Sequence, residues 1–167
     1  MNYPNSTYTE WSYYANDMVN NLTLKDGSQA ILSSYHYLYS SLGKITTITD
    51  NLNNNYNFTY NDAGRLTHED KKDSSQNIIF SRDYGYDNAG NRLTETRDGA
   101  SIAYTYNDAN QVIVRNDSSE AISYTYNNGN LTQEVSSLSG TTNYYYDYED
   151  RPWAIITPSV NTYYGYA

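Results

Sequence analysis

A chain of 167 residues that is only 38% hydrophobic, with 22 Tyr against two Phe and two Trp, has to build its buried surface largely from tyrosine, whose ring can be covered while its hydroxyl keeps a polar partner. A net charge of −9 argues against a nucleic-acid partner, since phosphate backbones are bound by clustered Lys and Arg. The sequence contains no run of the roughly 18 apolar residues that marks a membrane span and no cysteine for a disulfide or thiolate metal site.

Mean hydropathy is −0.84, yet disordered segments are poor in aromatic and β-branched residues, so a folded chain is expected. The opening MNYPNSTYTEW lacks the basic and apolar regions of a signal peptide. The expectation is a protein that stays where it is made or a segment of a longer, exported chain.

Residues 1–10 read as an irregular lead-in or weak edge strand. A repeated region then covers 11–153, and a Tyr-rich tail covers 154–167. The first unit is Trp11 to Tyr14 followed by Leu22-Thr23-Leu24, closed by the Asp26-Gly27 turn signal. The second has Tyr35 to Tyr39, a turn ending at Gly43, and a return strand from Lys44 to Thr49. The third has Tyr56 to Tyr60, turn 61–64 and Arg65 to Glu69, with 70–76 as its outer loop. The fourth has Asp83 to Tyr86, turn 87–90 and Asn91 to Arg97.

The fifth and sixth are the best matched, with Tyr104-Thr105-Tyr106-Asn107 and Tyr124-Thr125-Tyr126-Asn127 twenty residues apart. The seventh has Tyr144 to Tyr146 and loses the pattern at Pro152-Trp153. The last tyrosines, at 14, 39, 60, 86, 106, 126 and 146, recur every 20 to 26 residues. That period suits a supersecondary unit that buries a face only by stacking on its neighbours.

Each unit reads as a β-hairpin. In Tyr104-Thr105-Tyr106 both rings fall on one face and Thr on the other. Asn or Asp at a turn start can hydrogen-bond its own backbone, and Gly64 or Gly90 can adopt the positive φ that closes the turn, with Asn110 in the same place. Leu66, Leu93, Val112 and Leu131 are then expected beside the tyrosines as cross-strand partners.

The expected fold is all-β, an antiparallel meander of about seven stacked hairpins forming a curved, partial shell-like strip. Its roughly fourteen strands would span about 65 Å if flat, so twist and curl are expected. Tyr and Leu should line the inner face, and Thr, Glu and Arg the outer one. Free edges invite further strands.

Chemistry is thinly represented. His36 and His68 are the only histidines. On a strand His68 and Asp70 share a side while Glu69 faces away, too few ligands for a zinc site. The Asp/Asn clusters lack EF-hand spacing, and no nucleophile–base set stands out. No catalytic residue, metal site or cofactor is therefore expected. The positions singled out are structural: Tyr39, Gly43, Tyr60, Gly64, Leu66, Tyr86, Gly90, Leu93, Tyr106, Val112, Tyr126, Leu131 and Tyr146.

Tyr60-Asn-Asp-Ala-Gly64-Arg65-Leu66-Thr67 and Tyr86-Asp-Asn-Ala-Gly90-Asn91-Arg92-Leu93-Thr94 resemble YD repeats of the Rhs family, found also in wall-associated proteins, toxin-complex C subunits and teneurins. The resemblance implies a strip of hairpins that spirals into a hollow shell around a C-terminal toxin or effector. It implies a structural, non-catalytic role, secreted or at the cell surface as part of a larger protein. The partners expected are further YD repeats or a neighbouring segment at the strand edges, and a toxin cargo. Seven units are few for a container, so a wall segment is expected. The alternative is a binding module for cell-surface carbohydrate, using Tyr144, Tyr145, Tyr163, Tyr164 and Tyr166 as flat apolar faces.

Overall fold

The structure, a computed structural model, describes residues 6–166, so Pro4 and the first half of the lead-in lie outside the described residues. The chain divides into two units, one ending at Tyr84 and one beginning at Gly85. The first contains β1 (Tyr8–Tyr13), β2 (Val19–Lys25), β3 (Ile31–Tyr39), β4 (Ile45–Asp50), β5 (Asn55–Tyr60), β6 (Leu66–Lys72) and most of β7 (Ile78–Tyr86). The second contains β8 (Arg92–Arg97), β9 (Ala100–Tyr106), β10 (Val112–Asp117), β11 (Ala121–Asn127), β12 (Asn130–Ser136), β13 (Gly140–Tyr146), β14 (Pro152–Ile156) and β15 (Asn161–Tyr163). Within each unit every strand pairs antiparallel with the next in the chain.

One five-residue loop closes most hairpins, at both ends of the strands. In 50–54 the Asp50 N–H donates to the Asn54 carbonyl and the Asn53 N–H to the Asp50 carbonyl. The Asp50 carboxylate accepts the N–H groups of Leu52 and Asn54. Asp26, Ser40, Asp73, Asn107 and Asp147 do the same for their own loops. The fourth residue has positive φ: Gly43 at 74°, Gly64 at 73°, Gly90 at 100° and Asn110 at 58°.

The Asp26-Gly27 turn signal misleads. The left-handed residue there is Gln29, at 72°, because the Asp26 side chain anchors the longer loop. True two-residue turns form at Asp98-Gly99 and Asn128-Gly129, where both residues have positive φ.

A bulge follows the turn in each Tyr-closed hairpin whose register is defined, and in the β2–β3 and β6–β7 pairs, whereas β4–β5, β8–β9, β10–β11, β12–β13 and β14–β15 pair without one. Tyr60 pairs with Leu66 while Thr59 pairs with His68, leaving Thr67 unpaired. Asn20, Thr46, Ile113, Thr132 and Trp153 are skipped in the same way. In the first hairpin the strand-closing residue is Tyr13, paired with Val19. Tyr14, the expected last tyrosine, instead opens the loop. Pro152 pairs with Tyr146 and starts β14, so the compositional break at Pro152-Trp153 does not interrupt the meander. Nor does the charged run at 70–72 form a loop, since β6 continues to Lys72.

Alternation of exposure along β9 and β11 places Tyr104, Tyr106, Tyr124 and Tyr126 on the covered side and Thr105 and Thr125 on the open one. Among the described residues only Ile102, Ile122 and Ala154 are buried hydrophobics; half-buried tyrosines add to them.

The expected outer placement of Glu and Arg is corrected. Glu69 accepts the Tyr84 hydroxyl at 2.8 Å and pairs with Arg82. Glu95, the most buried large side chain at 2% exposure, is paired in register with Ile102. Arg115 likewise faces Tyr104 and Ile122. Phenolic hydroxyls are polar partners, so the tyrosine face accommodates charges that an aliphatic face would not.

Candidate functional site

The recurring constellation is the joint between successive hairpins. Its first part is the bulge, which disrupts the hydrogen-bond ladder just after the return strand begins. Its second is the tyrosine that closes the following hairpin's outgoing strand. Tyr60 Oη donates to the Ile45 carbonyl at 3.0 Å, Tyr106 Oη to that of Arg92 at 2.9 Å, and Tyr126 Oη to that of Val112 at 2.9 Å. Tyr166 Oη reaches the Pro152 carbonyl at 2.6 Å. For Ile45, Val112 and Pro152 the acceptor is the residue just before the skipped position, and the rings of Tyr60 and Tyr166 lie against Lys44 and Arg151, the last residues of the preceding loops. Covered carbonyls need partners, and the phenol supplies one without adding a charge. Burial raises the phenol pKa of Tyr60, Tyr106 and Tyr126, so these groups stay protonated donors.

The anticipated repeat positions distribute around this joint. Leu66, Val112 and Leu131 pair with Tyr60, Tyr106 and Tyr126. Tyr39 pairs with Ile45 and meets Tyr14 edge-on, with ring centres 6.2 Å apart. Tyr146 pairs with Pro152, and Tyr86 is the last residue of β7. Gly43 sits with Met18 Cε 3.0 Å from where a Cβ would be.

Leu93, expected beside a tyrosine, lies exposed on β8. It is 40% exposed and stands three residues after Gly90, the spacing that separates Thr67, the skipped residue, from Gly64. Arg92 occupies the partner offset instead, over the Tyr104 ring at 5.1 Å. A one-residue bulge exchanges faces, and unit-by-unit alignment on Leu hides it.

Sequence reading also missed the ionic clusters on the tyrosine face. Glu95 binds Arg97 and Arg92, the latter at 3.2 Å, and accepts the Tyr104 hydroxyl at 3.3 Å. The Arg97 hydrogen bond holds its carboxyl below the usual range, against the effect of burial. Arg115 bridges Asp117 at 2.6 Å and Glu120 at 3.4 Å, and Glu120 also accepts the Ser136 hydroxyl at 2.5 Å. The signal was available in the Asp98-Gly99 turn, which by pairing Arg97 with Ala100 sets Glu95 opposite Ile102.

His68 lies against Asp83 and Asp70, while Glu69 faces the opposite side, as strand alternation requires. His36 faces the Asn21 amide oxygen at 3.0 Å. Among the described residues no three His, Asp or Glu side chains cluster to hold a metal ion. A recess of about 290 Å³ includes Asn128, Asn130, Thr132, Tyr145, Asp147 and Asp150 in its wall. Beside it, the Tyr145 and Trp153 rings meet at a tilt of 44° with centres 5.5 Å apart.

Residues 39–76 match the RHS Repeat family model. No curated protein sequence matches the chain. Among solved structures the fold is similar to a TcdB2-TccC3-Cdc42 crystal structure, with a TM-score of 0.78 and 18% identity over 87% of this chain. It is also similar to the Photorhabdus luminescens Tc holotoxin pore carrying a TccC3 mutation, at 0.75 and 18% over 87%. A TcdB2-TccC3 structure without its hypervariable C-terminal region gives 0.76, again at 18% and 87%. This chain spans 9% of the length of each of those chains.

Proposed function

We propose that this strip of Rhs-type YD repeats is a non-catalytic wall segment of a larger shell that encloses or presents a C-terminal toxin or effector, secreted or at the cell surface. The observation that carries the reading is the repeated phenol-to-carbonyl joint. The same bond is made by Tyr60, Tyr106, Tyr126 and Tyr166, each time welding one hairpin to the one before it. Such a module adds strands indefinitely and leaves its chemistry in packing. Its partners are further repeats on the strand edges and a cargo held behind the wall. The likeness in fold to TcdB2-TccC3 structures supports the architecture.

Limited proteolysis of the full reading frame that contains the segment tests this. A shell shields the C-terminal region from protease until the repeats are denatured, and Tyr60→Ala combined with Tyr126→Ala removes the shielding. Equal digestion of that region in the native and denatured protein would sink the proposal.

The recess beside Tyr145 favours one second reading, a carbohydrate-binding module. Tyr145 is 44% exposed and Trp153 43%, and the amides of Asn128 and Asn130 with the carboxylates of Asp147 and Asp150 offer the polar contacts sugars require. A glycan array that gives no more signal for the native chain than for Tyr145→Ala excludes it.

A further inference from the structure

We propose that His68 is a proton-operated clasp that fastens β6 to β7, so that the first unit gains stability as the medium acidifies through the range in which histidine titrates. The argument starts from the two ring nitrogens. Nδ1 stands 2.7 Å from Asp83 Oδ1 and Nε2 stands 3.3 Å from Asp70 Oδ2. A neutral imidazole carries one N–H and satisfies one carboxylate while turning a lone pair toward the other. The imidazolium donates to both. The site is thus built for the charged ring.

The surroundings hold it in place. His68 is paired in register with Thr59 on β5 and Asp83 on β7, and Asp70 with Asn57 on β5 and Ser81 on β7. β5 therefore presents only the neutral Thr59 and Asn57, whose amide donates to Asp70 at 2.6 Å. From β6 come Asp70 and Lys72, the latter 3.8 Å from Asp70. From β7 comes Asp83 with the neutral Ser81. Two carboxylates and one ammonium leave a net negative pocket that a second cation completes. The hydrogen bond to Asp83 accordingly raises the His68 pKa, with burial opposing and Asp70 adding to the rise. A raised folded-state value contributes stability that is fully present below the unfolded value of about 6.5 and is lost as pH rises through the folded one.

With only two histidines in these 167 residues, proton NMR of this chain resolves the His68 titration. His68 is expected to titrate above about 6.5, and Asp83→Asn to bring it down toward that value, with Asp70→Asn giving a further fall. In parallel, the urea midpoint of the native protein is expected to drop between pH 5.5 and pH 8.5, and His68→Gln to flatten that slope. Should His68→Gln fail to fold, Asp83→Asn gives the same readout, because Asp83 is largely exposed. A His68 midpoint at or below about 6.5, or a urea slope unchanged by Asp83→Asn, overturns the proposal.

Discussion

At the scale of single residues, tyrosine does two jobs that are separable by mutation. Its ring covers the turn end of the preceding hairpin, and its hydroxyl satisfies a carbonyl at the bulge. Tyr126→Phe keeps the ring and orphans the Val112 carbonyl, so it is expected to cost about 1 kcal/mol in urea unfolding. Tyr148→Phe, on a loop side chain that is 91% exposed, serves as the control and should change nothing measurable. Leu93 and Leu66 make a second contrast. Leu66 pairs with Tyr60, and Leu66→Thr is expected to lower stability by about 2 kcal/mol through lost apolar burial. Leu93→Thr, at an exposed position, should stay within about 0.5 kcal/mol. Equal effects of the two substitutions would contradict the bulge assignment. Glycine matters here where the loop needs it, and Gly64 is such a place.

At the scale of the hairpin, the five-residue loop is the unit of construction. Its recurring features are a left-handed residue at the fourth position and, in every copy but the one that Tyr14 opens, an Asx or Ser acceptor at the first. Positions that meet the second with a side chain other than Gly or Asn carry avoidable strain. Gln76 has φ of 67°, and Gln76→Gly is expected to raise stability by about 0.5–1 kcal/mol, the left-handed penalty less glycine's entropy cost. Gly64→Ala runs the other way, with a loss of about 1–2 kcal/mol; the new Cβ would also lie 3.3 Å from Lys44 Cε. Thermal or urea denaturation measures both. A destabilised Gln76→Gly would mean that the side chain contributes more than its backbone strain. A bulge follows this loop in most hairpins, though not after 50–54, and where present it decides which face every later residue of the return strand occupies.

At the scale of the whole molecule, so many carboxylate-anchored loops make stability depend on pH from the acid side. Asp26, Asp73 and Asp87 are held below the usual carboxylate range, chiefly by the side chains of Ser28, Asn77 and Asn91, with backbone N–H groups adding to the effect. Asp117 is held down to about 2, chiefly by the Ser119 hydroxyl and then by backbone N–H groups. A depressed carboxylate contributes stability above its unfolded value of about 3.9 that is lost as pH falls through the folded one. Circular dichroism should therefore report unfolding as pH falls from about 4 toward 2, and Asp117→Asn should shift that loss to higher urea sensitivity at neutral pH while shortening the acid limb.

The hairpin count, the turn glycines at 43, 64 and 90 and the tyrosine face were legible in the sequence, because strand alternation and left-handed turns leave local signatures that need no partner to be read. The exposed Leu93, the shift from Tyr14 to Tyr13 and the charges gathered on the tyrosine face were decided only in the tertiary structure. A single skipped residue, present after some turns and absent after others, reverses the facing of all that follows, and whether a residue is skipped depends on the ladder formed with a neighbouring strand.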